Sequence, residues 1–119
     1  MKRFVLAILS FAIPMLATHA LAQSGQPVKP VTLKPGKIFE KCMNLVPPQK
    51  IEYSFESAAK INFNLHYHKG EQIYYPVKLD RTNGESGLHE AKAKEAYCLM
   101  WENKTGADVE LTYNARIVK

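Results

Sequence analysis

The dominant pattern along the chain has a period of two. From residue 49 to 56, Ile51, Tyr53 and Phe55 alternate with Glu52, Ser54 and Glu56; from 60 to 68, Ile61, Phe63, Leu65 and Tyr67 alternate with Asn62, Asn64, His66 and His68. Successive side chains on a strand point to opposite faces, so each run predicts a strand with one apolar and one polar face. A turn at Lys69-Gly70 leads into a third run, 71–79, with Ile73, Tyr75 and Val77 in phase, and the two runs it joins read as a β-hairpin. The segment "DRTNGESG", centred on Asn83-Gly84, is the clearest turn signal in the chain. Shorter runs flank these. Residues 37–43 form a first strand stopped by Pro47-Pro48, 88–94 a strand or irregular edge, and 96–103 a nearly continuous apolar strand. Over 108–118, Val109, Leu111, Tyr113, Ala115 and Ile117 share one face. The expectation is an all-β fold, an antiparallel β-sandwich of about seven strands, over residues 36–119.

The N-terminus changes what the composition means. Lys2 and Arg3 precede an apolar stretch from Phe4 to Leu16, and Ala20-Leu21-Ala22 has the small-x-small form of a signal-peptidase site. Residues 1–22 therefore read as a cleaved signal peptide, too short and too interrupted by Pro14 to be a membrane span. The mature chain is expected in the periplasm or secreted, with no stable membrane span. Residues 23–35 ("QSGQPVKPVTLKP") read as a Pro-rich extended leader. The mature 97 residues carry 14 basic and 11 acidic side chains, intermixed along the chain. One domain is expected, without the clustered basic surface that nucleic-acid binding needs.

Cys42 and Cys98 are the only cysteines. Export to an oxidising compartment favours a disulfide between them, closing a loop of about 57 residues worth roughly 4 kcal/mol of chain entropy. Two free thiols on a metal are the alternative, without the close Cys-x-x-Cys spacing such sites commonly show. The layout of these cysteines, with "YCLMWENKTG" and "DVELTYNARI" after the second and "IEYSFESAAKINFNLHYHKGEQIYYPVK" between, resembles the GOLD (Golgi dynamics) domain. That family supplies the luminal β-sandwich of secretory-pathway cargo receptors. The resemblance spans roughly residues 36–119 and implies a sandwich, a disulfide, and binding of proteins or lipids by a sandwich face. No coiled-coil stalk, transmembrane helix or retrieval tail accompanies it in this sequence, so cargo sorting is not expected to carry over.

The candidate chemistry centres on His66 and His68, two apart on one strand and hence on one face. Two imidazoles suit Cu or Zn, with His89, Glu71, Glu90, Met43 or Met100 as the residues that could complete a site. The competing reading makes the pair part of a solvated face that continues from Asn62 and Asn64. Tyr74, out of phase with Ile73 and Tyr75, is expected beside the histidines as part of a surface binding patch. Tyr53, Phe55, Phe63, Tyr67, Tyr75, Tyr97, Trp101 and Tyr113 fall in the inward phase and are expected in the core. No nucleophile motif, zinc-protease motif or phosphate loop occurs, so catalysis is not expected. Asn103-Lys104-Thr105 matches the glycosylation sequon. The function expected is that of a small exported binding protein for a protein or small ligand, with Cu or Zn binding as the alternative.

Overall fold

The alternating runs fuse into far longer strands than their separate lengths predict. The computed structural model describes residues 30–119; the signal segment 1–22 and the start of the leader lie outside the described residues. The strands are β1 (Val31–Leu33), β2 (Ile38–Leu45), β3 (Lys50–Lys69), β4 (Gln72–Glu90), β5 (Glu95–Glu102) and β6 (Val109–Val118). The fold is all-β and antiparallel, with a Cys42–Cys98 disulfide. Among the described residues there are six strands in one sheet rather than about seven in a sandwich. No helix among them is long and apolar enough to cross a membrane.

The count falls because β3 joins two expected strands and β4 joins two more across the expected turn. β4 pairs with β3 from Lys69↔Gln72 back to Lys50↔Glu90. On the other edge of β3, β6 pairs with residues 50–57 and β5 with residues 62–67. β1 extends the sheet beyond β6, and β2 extends it beyond β5. The last part of the Pro-rich leader is thus extended and docked as β1.

The bend between the halves is built on β3, not at Asn83-Gly84. Glu56 faces Gly84 and Ile61 faces Thr82, so five steps of β3 oppose two of β4. The surplus of three residues within 57–60 bulges and curls the ribbon, as extra residues in a strand do. The glycines that signalled a turn serve close approach instead. A Cβ on Gly84 would stand 3.2 Å from the Phe55 carbonyl oxygen, and one on Gly87 would stand 2.5 Å from the Tyr53 hydroxyl. Tyr53 lies over the glycine directly across the ladder, a cross-strand aromatic cover for a residue with no side chain.

Curling brings the apolar phases of both halves onto one core. Ile51, Tyr53 and Phe55 from the first half meet Ile61, Phe63 and Leu65 from the second, with Leu99, Trp101, Val109 and Leu111 completing the buried set. Phe55 and Phe63 are 4.5 Å apart between ring centroids, and Trp101 lies 5.5 Å from Phe63 and 5.0 Å from Tyr113. Tilted and edge-on aromatic contacts of this kind add to the area they bury. Of the aromatics expected inside, Tyr75 is the exception, 47% exposed.

Asn103, in the sequon, is fully buried and works as a corner post. Its amide Nδ2 donates to the carbonyls of Leu33 and Ala107, each at 2.8 Å, and its Oδ1 accepts from the Thr105 amide and hydroxyl. Its backbone carbonyl accepts from the Gly36 amide while its own amide donates to Lys37. One side chain so ties the β1–β2 corner to the β5–β6 corner, and its amide nitrogen is fully engaged.

Two substitutions test this frame. Asn103→Ala strands several buried backbone groups and is expected to cost about 2–4 kcal/mol in urea unfolding. Gly87→Ala forces the Tyr53 ring off its seat and is expected to cost about 1–3 kcal/mol. A loss under about 0.5 kcal/mol in either variant contradicts the role given to that residue.

Candidate functional site

The face of the second half-sheet that points away from the core carries the unusual chemistry. Inward residues of β3 at 61, 63 and 65 leave Asn62, Asn64, His66 and His68 on the opposite face. β5 lays Glu102, Met100 and Cys98 across from Asn62, Asn64 and His66. β2 lays Glu40 and Cys42 across from Met100 and Cys98. The register thus makes a row, Cys42–Cys98–His66, across three strands, with Glu40–Met100–Asn64 as the row beside it.

This face is not simply wet. His66 is 5% exposed and Asn64 8% exposed, while His68 is open to solvent. His66 Nδ1 and Asn64 Oδ1 are 2.7 Å apart, and His66 Nε2 lies 3.8 Å from Glu40 Oε1. The same Glu40 oxygen is 3.2 Å from Cys42 Sγ. With Nδ1 donating its proton to Asn64, Nε2 carries the lone pair. Burial pushes the His66 pKa down; the Glu40 carboxylate opposes that shift and His68 adds to it.

The structure brings His66 and His68 together, with ring centroids 5.4 Å apart and planes at 71°. It does not put Tyr74 with them. Tyr67 pairs with Tyr74, but Leu65 pairs with Val77, so β4 holds one residue more than β3 between those points. That bulge, at Tyr75-Pro76, reverses the phase. Tyr74 stacks on Tyr67 at 5.2 Å, and Tyr75 takes the position 5.8 Å from His66. Ile73 and Tyr75 consequently share the outer face while Val77 turns inward. An X-Pro pair inside an alternating run was the one sequence signal for this break.

The residues expected to complete a metal site around the histidine pair lie apart from it, Met100 excepted. His89 pairs with Ile51 on the first half of β3, and its ring lies 5.8 Å from Tyr97, which belongs to the core face. Burial, then the Lys92 charge, lowers the His89 pKa, with Glu90 opposing. Met43 packs against the core, Glu90 pairs with Lys92, and Glu71 sits in the exposed hairpin turn. Only Met100 shares the outer face with His66. Among the described residues, one group of three donors lies close enough to hold an ion: Glu40, Cys42 and Cys98, within 4.8 Å of one another. Its two sulfurs are joined in the disulfide.

Beside the buried pair the face hollows into a groove of about 380 Å³, lined by Asn62, Asn64, Tyr75, Lys78, Asp80 and Glu102 among others. Asn62 Oδ1 accepts from the Arg81 amide, just as Asn64 Oδ1 accepts from His66. The Lys78 ammonium stands 5.5 Å over the Tyr75 ring. Sequence reasoning missed this groove because its residues come from three strands, and only the register brings them together.

No protein-family model matches the chain, and no curated protein matches it. Among solved structures it is similar to a "Solution NMR structure of a de novo designed double-stranded beta-helix", at 18% identity and a TM-score of 0.46, covering 76% of this chain and 100% of that one.

Burial of His66 and His89 has a consequence in solution. Both take up a proton at lower pH in the folded state than in the unfolded chain, whose histidines titrate near 6.5. Below about pH 6.5 the unfolded chain therefore binds more protons, and stability falls as pH drops. The urea midpoint at pH 5.5 is expected below that at pH 7.5, with the gap narrowed in His66→Gln. A midpoint that stays flat or rises on acidification contradicts this account.

Proposed function

We propose that the protein is a small exported binding protein, not an enzyme, and that it takes a hydroxyl-rich ligand such as a short saccharide in the groove of the outer face. The observation that carries this reading is the anchoring of Asn62 and Asn64. Each amide is fixed by a bond to its carbonyl oxygen, which leaves its N–H₂ group to donate into a groove lined by carboxylates and an ammonium. Donors and acceptors side by side suit hydroxyl groups, which need both. Tyr75 adds an aromatic edge, and the volume lies within the range of small-ligand sites. In this reading the curled sheet acts as a two-layered sandwich, the core holding one face rigid while the other recognises ligand, in keeping with the GOLD-like resemblance. Tyr75 takes the part expected of Tyr74, with His66 and His68 at one end of the patch.

The test is ligand-observed NMR on the oxidised mature protein with neutral, amino and acidic mono- and disaccharides. At least one class is expected to bind saturably, with affinity reduced about tenfold or more in Asn62→Ala and Glu102→Gln. The reading fails if no saccharide binds, or if both variants bind as well as the parent.

A further inference from the structure

The disulfide joins two sulfurs that lie with the Glu40 carboxylate in one cluster of donors, and His66 stands beside that cluster. Cys42 and Cys98 are in-register partners on β2 and β5, with Cα atoms 4.0 Å apart, and His66 is the in-register partner of Cys98 on β3. Glu40, two residues before Cys42 and on its face, leans over the sulfurs to within 3.8 Å of His66 Nε2. The carboxylate and both sulfurs lie within 4.8 Å of one another. Two thiolates on a tetrahedral zinc ion stand roughly 3.8 Å apart, given Zn–S bonds of about 2.3 Å. Side-chain rotation that parts the two sulfurs to this distance would make the thiolate pair of such a site, and His66 would complete it by moving in from the neighbouring strand position across from Cys98.

His66 supplies the second, independent indication. It is a nearly buried imidazole whose Nδ1 is held by Asn64 and whose Nε2 faces the carboxylate and not a hydrogen-bond donor. An imidazole oriented by an outer hydrogen bond, with its other nitrogen presented as a lone pair, is the arrangement that metal-binding histidines share. The solvated-face reading accounts for His68 but not for this burial.

We propose that the Cys42–Cys98 disulfide gates a zinc site, and that on reduction Cys42, Cys98, His66 and Glu40 bind Zn(II) as a four-ligand centre. The gate opens by thiol–disulfide exchange with an external dithiol. That dithiol gives two electrons and two protons to the Cys42–Cys98 bond and is itself oxidised to a disulfide. Zn(II) then displaces the two thiol protons and takes one bond each from the two sulfurs, His66 Nε2 and a Glu40 oxygen. Cys42 is exposed, which gives the attacking thiolate access. The ladder on both sides of β5 holds the ligand positions together once the S–S bond is gone. This inference is independent of the saccharide reading of the groove.

The test uses Co(II) as a spectroscopic probe and Zn(II) as competitor, on the mature protein oxidised and after anaerobic reduction. Reduced protein is expected to bind Co(II) one to one, with thiolate-to-cobalt charge-transfer and tetrahedral d–d bands, and to lose both when Zn(II) is added. Oxidised protein should show neither band. His66→Ala and Glu40→Gln are each expected to weaken Co(II) binding by at least about tenfold, whereas His68→Ala should not. Circular dichroism reports whether the reduced chain stays folded; if it does not, Zn(II) must restore the fold. The proposal is overturned by a folded reduced protein without thiolate bands, by an unfolded one that zinc does not rescue, or by unchanged affinity in both His66→Ala and Glu40→Gln.

Discussion

β3 is hydrogen-bonded along both edges over most of its 20 residues, and this double pairing constrains the rest of the molecule. A strand paired on both sides cannot slip by one residue without turning its whole apolar set outward in two half-sheets at once. The register that packs Phe55 against Phe63 is therefore the same register that sets His66 beside Cys98. Core and outer face are two consequences of one alignment. The bulge at 57–60 lets a single strand serve both halves, since without it the apolar phases would lie on a flat sheet with nothing to bury them.

The outer face follows from this arrangement in an unusual way. Two polar side chains, Asn64 and His66, are nearly buried on the side of the sheet away from the core. Burying an imidazole and an amide is unfavourable unless they are hydrogen-bonded, and these two satisfy each other in part. Neighbouring Tyr75, the disulfide and Glu40 cover them. A solvated sheet face has no need of such an enclosure, whereas a recognition surface gains from side chains held in one rotamer.

Much of this was legible in the alternation alone. The all-β character and the inward phase of β3, β5 and β6 follow from period two, and the pairing of the two cysteines from their number and the expected export. The long hairpin was not legible. Asn83-Gly84 carries the residue chemistry of a turn, but a Cβ on Gly84 would crowd the Phe55 carbonyl and one on Gly87 would clash with the Tyr53 ring. Sequence offers the glycine and not its reason. The phase of Tyr75 was lost for a related cause, since a one-residue bulge leaves the composition of the run unchanged while reversing its faces. Asn103 shows the opposite limit: a local motif that reads as a modification signal is, in three dimensions, the hydrogen-bonded link between two corners.

The site was legible only as a pair of histidines, because Glu40, Cys42, Cys98 and Met100 are 24 to 34 positions from His66 in sequence and adjacent to it only through the ladder. That same ladder separates two roles that a disulfide in a small domain ordinarily combines. The bridge joins residues 56 positions apart and restricts the unfolded chain. Yet Cys42 and Cys98 are already held opposite each other by the β2–β5 pairing, which runs from Ile38↔Glu102 to Leu45↔Glu95. Breaking the S–S bond removes a restraint on the unfolded state without removing the native contacts that align its two ends. The loss of stability and the persistence of the site are thus separable, and an in-register bridge on a ladder of this length can be opened while the geometry around it stays in place.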